Sequence, residues 1–304
     1  MTDKPLVWGW VTRLLSGFYT VQTEQGAVIC RLRGRLKARR AGGDIAALGD
    51  HVKIRILPDG SGVIEEIAPR ERALVRTAPR ARGVYRQVLL ANPDQAVFVF
   101  ACANPTPRLR MLDRFLIVAE QQGIPALVVA NKIDLATPDV LQQFEIYPPL
   151  GYPVLFTSVK TGAGIDDLRC HLSGKISAFA GPSGVGKSSL LNAIQPELGL
   201  AVREVSRATA KGRHTTIIRQ LFPLEGGGYV ADLPGMRLLS LWDIRPEEMD
   251  GYFPELRPLV QDCLYNDCTH RNEPGCAVID AVARGEVRPE RYESYLRLRF
   301  GEEL

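Results

Sequence analysis

The chain has 304 residues, 45% of them hydrophobic and 24% charged, enough to bury a full core and to divide into two or three domains. No basic stretch followed by an apolar run opens it, and no apolar run approaches membrane-spanning length, so a cytoplasmic, monomeric protein with no membrane partner is expected. The net charge of +4 hides an asymmetry: residues 1–86 hold 16 Lys/Arg against 8 Asp/Glu, leaving the remainder net negative, a footprint suited to nucleic-acid phosphate.

In chain order, residues 1–72 read as five short strands, Leu6–Leu15, Phe18–Thr23, Ala27–Leu32, His51–Leu57 and Gly62–Ile67, separated by Gly-, Asp- and Pro-containing turns. Five strands in so short a span predict a small closed barrel, for which an OB-fold and an SH3-like barrel both fit the count. The OB-fold is the reading adopted, as an RNA-binding domain. Arg31, Arg33 and Arg35 alternate onto one face of an extended segment, and Lys37, Arg39 and Arg40 continue the basic run. Residues 73–86, with Arg76, Arg80, Arg82 and Arg86, read as an extended basic linker.

Residues 87–243 form the next domain, and from Gln95 the pattern becomes buried strands alternating with amphipathic helices, the signature of a mostly parallel sheet covered on both faces. The strands are Ala96–Cys102, Ala126–Ala130, Pro153–Phe156, Ile176–Ala180 and Tyr229–Ala231. Leu109–Gln122 carries Leu112, Phe115, Leu116 and Ala119 at helical spacing and stops at Gly123. Residues 244–304 form a last domain, with helices over Ala277–Arg284 and Pro289–Phe300.

The loop Gly181-Pro182-Ser183-Gly184-Val185-Gly186-Lys187-Ser188 follows a strand and opens a helix that continues through Ser189, the context in which backbone N–H groups converge on phosphates. Lys187 would face the β/γ oxygens and Ser188 would ligate magnesium. Asn131-Lys132-Ile133-Asp134 ends another strand. A carboxylate at Asp134 accepts from guanine N1–H and the 2-amino group together, which adenine cannot offer, so GTP is selected over ATP. The stem of Lys132 would lie across the purine, Asn131 would tie base loop to phosphate loop, and Thr157-Ser158-Val159-Lys160 would bring a backbone donor to guanine O6.

Asp232-Leu233-Pro234-Gly235 ends a third strand, with Asp232 placed to hold magnesium through water and the Gly235 N–H to meet the γ-phosphate. Gly212-Arg213-His214-Thr215-Thr216 reads as a nucleotide-sensing switch, with Thr215 or Thr216 completing the magnesium sphere. Met236 stands where many GTPases carry a water-orienting glutamine, so intrinsic hydrolysis should be slow. His214 is a candidate replacement. The base-reading tetrapeptide precedes the phosphate loop, the reverse of the ordinary order, which implies a circularly permuted GTPase. Cys30, Cys102 and Cys170 stand apart, whereas Cys263, Cys268, His270 and Cys276 supply three thiolates and an imidazole suited to one structural zinc.

Together, in this order and over nearly the whole chain, these motifs resemble the bacterial small ribosomal subunit-dependent GTPases known as RsgA, or YjeQ/YloQ. The resemblance implies an α/β permuted P-loop GTPase domain between an N-terminal OB-fold barrel and a C-terminal helical zinc-binding domain. It further implies binding to the small ribosomal subunit and its rRNA late in maturation, dealings with ribosome assembly factors, and GTP hydrolysis to GDP and phosphate stimulated by that subunit. A catalytic role for His214 is likewise suggested by the family.

Overall fold

A computed structural model describes residues 6–34, 36, 44–80, 83–200, 219–233 and 244–301. His214, Thr215, Thr216, Gly235 and Met236 lie outside these residues, as do Arg35, Lys37, Arg39 and Arg40 of the basic run.

The first strands, β1 (Leu6–Leu15), β2 (Phe18–Thr23), β3 (Gly26–Leu32), β4 (His51–Ile56) and β5 (Gly62–Ile67), pair in the order β1-β2-β3-β5-β4 and close through β4 onto β1. β3 and β5 run parallel and the other pairs antiparallel. This Greek-key closure is that of an OB-fold. Alternation along each strand sends Val11, Val21, Cys30, Val52, Ile54 and Ile64 inward to a dry core. Arg33 pairs with Glu65, which also accepts from Arg55.

Residues 73–86 are not an extended linker. Among the described residues β6 (Ala73–Arg80) pairs antiparallel with β7 (Gly83–Ala91), from Ala73 opposite Ala91 to Arg80 opposite Gly83, with a register shift between Leu74 and Val75. At the base of this pair Leu74 and Leu90 are buried, Val75 N–H donates to Gln122 Oε1 at 2.9 Å, and Val88 N–H donates to Asp44 Oδ2 at 3.1 Å. The two strands form a sheet of their own, and Val88, Leu89, Leu90 and Ala91 at the end of β7 are buried.

In the central domain β8 (Gln95–Ala101), α1 (Leu109–Gln121), β9 (Ala126–Asn131), α2 (Pro138–Phe144), β10 (Val154–Thr157), α3 (Ile165–Leu172), β11 (Ile176–Ala180) and α4 (Lys187–Ile194) are followed by three short strands. These are β12 (Arg219–Gln220), β13 (Phe222–Pro223) and β14 (Tyr229–Asp232). The sheet order is β10-β9-β8-β11-β14-β13, parallel except for β13. Every residue of β8 and β11 is buried, because helices cover both faces. Phe98 and Phe100 pack against Leu112 and Phe115 on one side, while Val97 and Val99 join Leu168, Phe179 and Leu190 on the other. β12 leaves this sheet and adds to the barrel: Arg13 faces Gln220 and Leu14 faces Arg219 across antiparallel pairs, and Leu221 N–H donates to Thr12 O at 2.8 Å.

The C-terminal region winds through 3-10 turns at Pro246–Tyr252 and Val260–Asp262 into α5 (Ala277–Ala283) and α6 (Pro289–Phe300). It packs on α1 through Ile117, which joins Met249, Phe253, Val278 and Tyr295 in one core. Within that junction Arg291, 1% exposed, donates to both Asp113 of α1 and Glu255, and Tyr147 and Ser294 donate to the same Asp113 carboxylate. Its guanidinium also lies 4.7 Å from the Phe253 ring centre. Removing one member leaves buried charge uncompensated, so Arg291→Met should lower stability by about 3–5 kcal/mol in urea unfolding. A loss below about 1 kcal/mol would show that this network does not hold the junction.

Candidate functional site

The strand register brings the predicted motifs to one edge of the central sheet. Thr157 lies opposite Asn131, Ala180 ends β11 and Asp232 ends β14, all at the C-terminal ends of parallel strands, where such sheets take ligands.

The phosphate loop is shaped by glycines at two close approaches. A Cβ on Gly181 would meet Val99 O at 2.2 Å, and one on Gly186, at φ +97°, would meet Asn131 Nδ2 at 2.5 Å. After Gly186 the chain enters α4, with Lys187, Ser188 and Ser189 in its first turn and the unpaired N–H groups of that turn facing the loop. Lys187 Nζ donates to Gly181 O and Pro182 O, each at 3.0 Å. Burial holds its ammonium below the ordinary lysine range against the pull of Asp232, and burial raises the Asp232 carboxyl, which Lys187 opposes. Asp232 Oδ1 is buried without a hydrogen-bond partner. A hard cation suits an oxygen left unpaired in this way, so the residues fit the magnesium that a GTP-binding site requires.

The base loop is tied to the phosphate loop from below. Buried Asn131 donates from Nδ2 to Val185 O at 2.8 Å and accepts at Oδ1 from Thr157 Oγ1 at 3.1 Å. Lys132 sits in the left-handed region at φ 63°, which turns its side chain back so that Nζ donates to Gly184 O at 2.7 Å and to Asn104 O. Asp134 accepts from Ser158 Oγ at 2.7 Å, and Lys160 Nζ stands 4.0 Å from its other oxygen. Ser158 N–H is spent on Ala163 O, whereas the Val159 and Lys160 N–H groups have no backbone partner among the described residues. Each Asp134 oxygen keeps a lone pair beyond these contacts, and with the two donors it forms the complement of guanine's amine edge and its O6.

The Cys263, Cys268, His270 and Cys276 donor atoms all lie within 4.8 Å of one another. Cys263 Sγ and Cys276 Sγ are 3.9 Å apart, and His270 Nδ1 is 3.5 Å and 3.3 Å from them. A tetrahedron with zinc–sulfur arms of about 2.3 Å has edges of about 3.8 Å, so the cluster fits zinc. Burial pushes the Cys268 thiol up to about 12, so in the absence of a cation it would stay protonated at neutral pH. His270 is fully buried with φ 59°, and its Nε2 meets Asp250 Oδ2 at 3.2 Å, which orients Nδ1 toward the sulfurs.

Two contributors escaped the sequence reading. Asn104, which receives Lys132, stands in an Asn-Pro turn pair that signals a loop but no partner. Asp250 precedes the first cysteine by 13 residues, and nothing in that spacing marks it as the histidine's acceptor.

Two family profiles cover most of the chain: the RsgA N-terminal domain matches residues 8–64 and the RsgA GTPase matches residues 67–242. The small ribosomal subunit biogenesis GTPase RsgA of Gemmatimonas aurantiaca is 46% identical over 96% of this chain and 96% of its own. Its counterpart in Moorella thermoacetica is 45% identical over 95% of this chain and 94% of its own. Among solved structures, YjeQ from Thermotoga maritima superposes with a TM-score of 0.80 at 37% identity, covering 98% of each chain. YloQ, a circularly permuted GTPase, superposes at 0.75 with 32% identity, covering 99% of this chain and 96% of that one.

Proposed function

The chain belongs to the RsgA GTPase family and hydrolyses GTP, and we propose that the maturing small ribosomal subunit is at once its ligand and the activator of that hydrolysis. Within the nucleotide site, Asp134 reads guanine N1–H and the 2-amino group, the Val159–Lys160 backbone meets O6, and the Lys132 stem covers the purine. Lys187 turns from its loop carbonyls to the β/γ-phosphates. Ser188, and Asp232 through water, would hold magnesium, which would supply positive charge beside the phosphate oxygens. The sequence adds Thr215 or Thr216 to that sphere, Gly235 N–H to the γ-phosphate, and His214 to the attacking water, since Met236 has no group to orient it. The C-terminal cluster holds one structural zinc. The protein works as a cytoplasmic monomer that meets rRNA and assembly factors.

The observation that carries this reading is β12. The strand follows three residues after Thr216 and is hydrogen-bonded to β1, so the stretch with the candidate water-orienting and magnesium residues runs directly into the barrel. The barrel in turn exposes Leu15, Phe18 and Ile29 on β1–β3, with Arg31 4.6 Å over the Phe18 ring, the strand 2–3 surface on which OB-folds take oligonucleotides. RNA seated there can bias the switch through a two-residue strand.

Multiple-turnover phosphate release should rise by orders of magnitude with small subunits and stay at the basal rate with large ones. Ser188→Ala should suppress the stimulated rate while the protein remains folded. Equal stimulation by large subunits, or none by small ones, would overturn the ribosomal reading and leave the GTPase standing.

A further inference from the structure

A cavity of about 460 Å³ lies between the barrel and the central sheet, walled by Trp10, His51, Glu71, Arg72, Asn92 and Tyr229. Asp94, Gly174 and Gly228 place it at the N-terminal ends of β8, β11 and β14. It is therefore separated from the GTP site by the length of those strands, on the order of 15 Å at about 3.3 Å per residue.

One wall is an aromatic ladder. Cross-strand pairing sets Trp10 opposite His51 and Trp8 opposite Lys53 on the outer face of β1 and β4. The His51 ring is stacked on both indoles, 4.6 Å from Trp10 and 4.7 Å from Trp8, with interplanar angles of 28° and 24°. Trp8 is 39% exposed, so the ladder runs from the cavity mouth out to solvent. Lys53 Nζ lies 5.5 Å from the Trp8 ring centre and is only loosely paired with Glu66, at 3.9 Å.

The polar groups in the cavity divide into committed and free. The Asn92 amide is spent on Glu71 N–H and Gly49 O, and Asp94 accepts from Ile176 N–H. Among the described residues, the Arg72 guanidinium and the Glu71 carboxylate have no side-chain partner. A flat apolar wall, one unspent cation and one unspent anion together match a nucleotide: the base stacks, its exocyclic amine donates to the carboxylate, and the phosphate meets the guanidinium. The cavity is of the size that takes ligands of that class.

We propose that this cavity and the Trp8–His51–Trp10 ladder bind an unpaired nucleotide of single-stranded RNA, as a second RNA contact beside the strand 2–3 surface. The inference rests on the ribosomal reading and names where a looped-out base enters. Its position on the seam between barrel and central sheet means that the bound nucleotide touches both.

The test uses full-length protein carrying Trp242→Phe, which leaves Trp8 and Trp10 as its only tryptophans, and a single-stranded 12-mer of oligoadenylate. Binding should quench the indole emission, with a double-stranded RNA of equal length quenching far less. Arg72→Gln and Trp8→Thr should each weaken oligoadenylate binding roughly tenfold and raise the small-subunit concentration needed for half-maximal stimulation. Both should keep the parent's GTPase rate without ribosomes. Unquenched emission at saturating oligonucleotide, no binding of it, or parent-like affinity in both variants would overturn the proposal, whereas a parent unstimulated by small subunits would strike the ribosomal reading instead.

Discussion

Asp134→Asn should lower affinity for GTP by roughly two to four decades and create affinity for xanthosine triphosphate. In the proposed role the carboxylate accepts two charge-assisted hydrogen bonds from guanine, each worth about 1.5–3 kcal/mol, and an amide cannot accept both while presenting its own N–H₂ to the amine. Xanthine carries an oxygen where guanine carries that amine, so the new donor finds an acceptor. The structure sharpens the expectation, because Ser158 Oγ already holds one Asp134 oxygen at 2.7 Å. An amide that keeps its oxygen toward Ser158 turns its nitrogen to the base. Competition of labelled GDP with GTP, XTP and ATP measures the change. Unaltered GTP binding in the variant, or ATP competing as well as GTP against the parent, would refute the guanine assignment.

The second large effect belongs to the metal. Purified without chelators, the protein should contain about one zinc per chain, and Cys268→Ser should lose it. Structural zinc supplies about 10–16 kcal/mol of apparent binding free energy in small domains, comparable to the whole stability of a domain. The C-terminal core is small: Met249, Phe253, Val278 and Tyr295 cluster around ligands that themselves count among its buried residues. Loss of the ion should therefore unfold this region and release the α1 junction, seen as rapid amide exchange over α5 and α6. The central domain, with its own cores on both sheet faces, should keep its nucleotide affinity. Metal analysis showing no zinc, or a Cys268→Ser variant with parent-like exchange, would count against a structural zinc.

The motifs were legible in the chain because they are local. A phosphate loop needs its glycines, lysine and serine within eight consecutive residues, a base-reading loop needs four, and the cysteine–histidine set needs fourteen, so each is written in one short string. The permuted order was legible for the same reason. Period-two alternation in the barrel and the apolar run of β8 likewise announced elements that bury one face or two.

Pairings between distant residues carry no such signature. Arg33 meets Glu65 and Arg291 meets Asp113 across 32 and 178 positions of sequence, so neither the surface ion pair on the barrel nor the buried charge network at the α1 junction is written in a local string. The pairing of Ala73–Arg80 with Gly83–Ala91 was hidden because Arg76, Arg80 and Arg86 interrupt the apolar alternation that marks a strand. β12 is two residues long, and no propensity could assign it to the barrel sheet rather than the central one. That choice was made by the unpaired edge of β1 and by the burial of Leu221 beside it. Motif and spacing name the short strings of this chain; the joining of the barrel, the central sheet and the C-terminal helices is set by long-range backbone pairing and buried charge, which exist only once the chain has closed on itself.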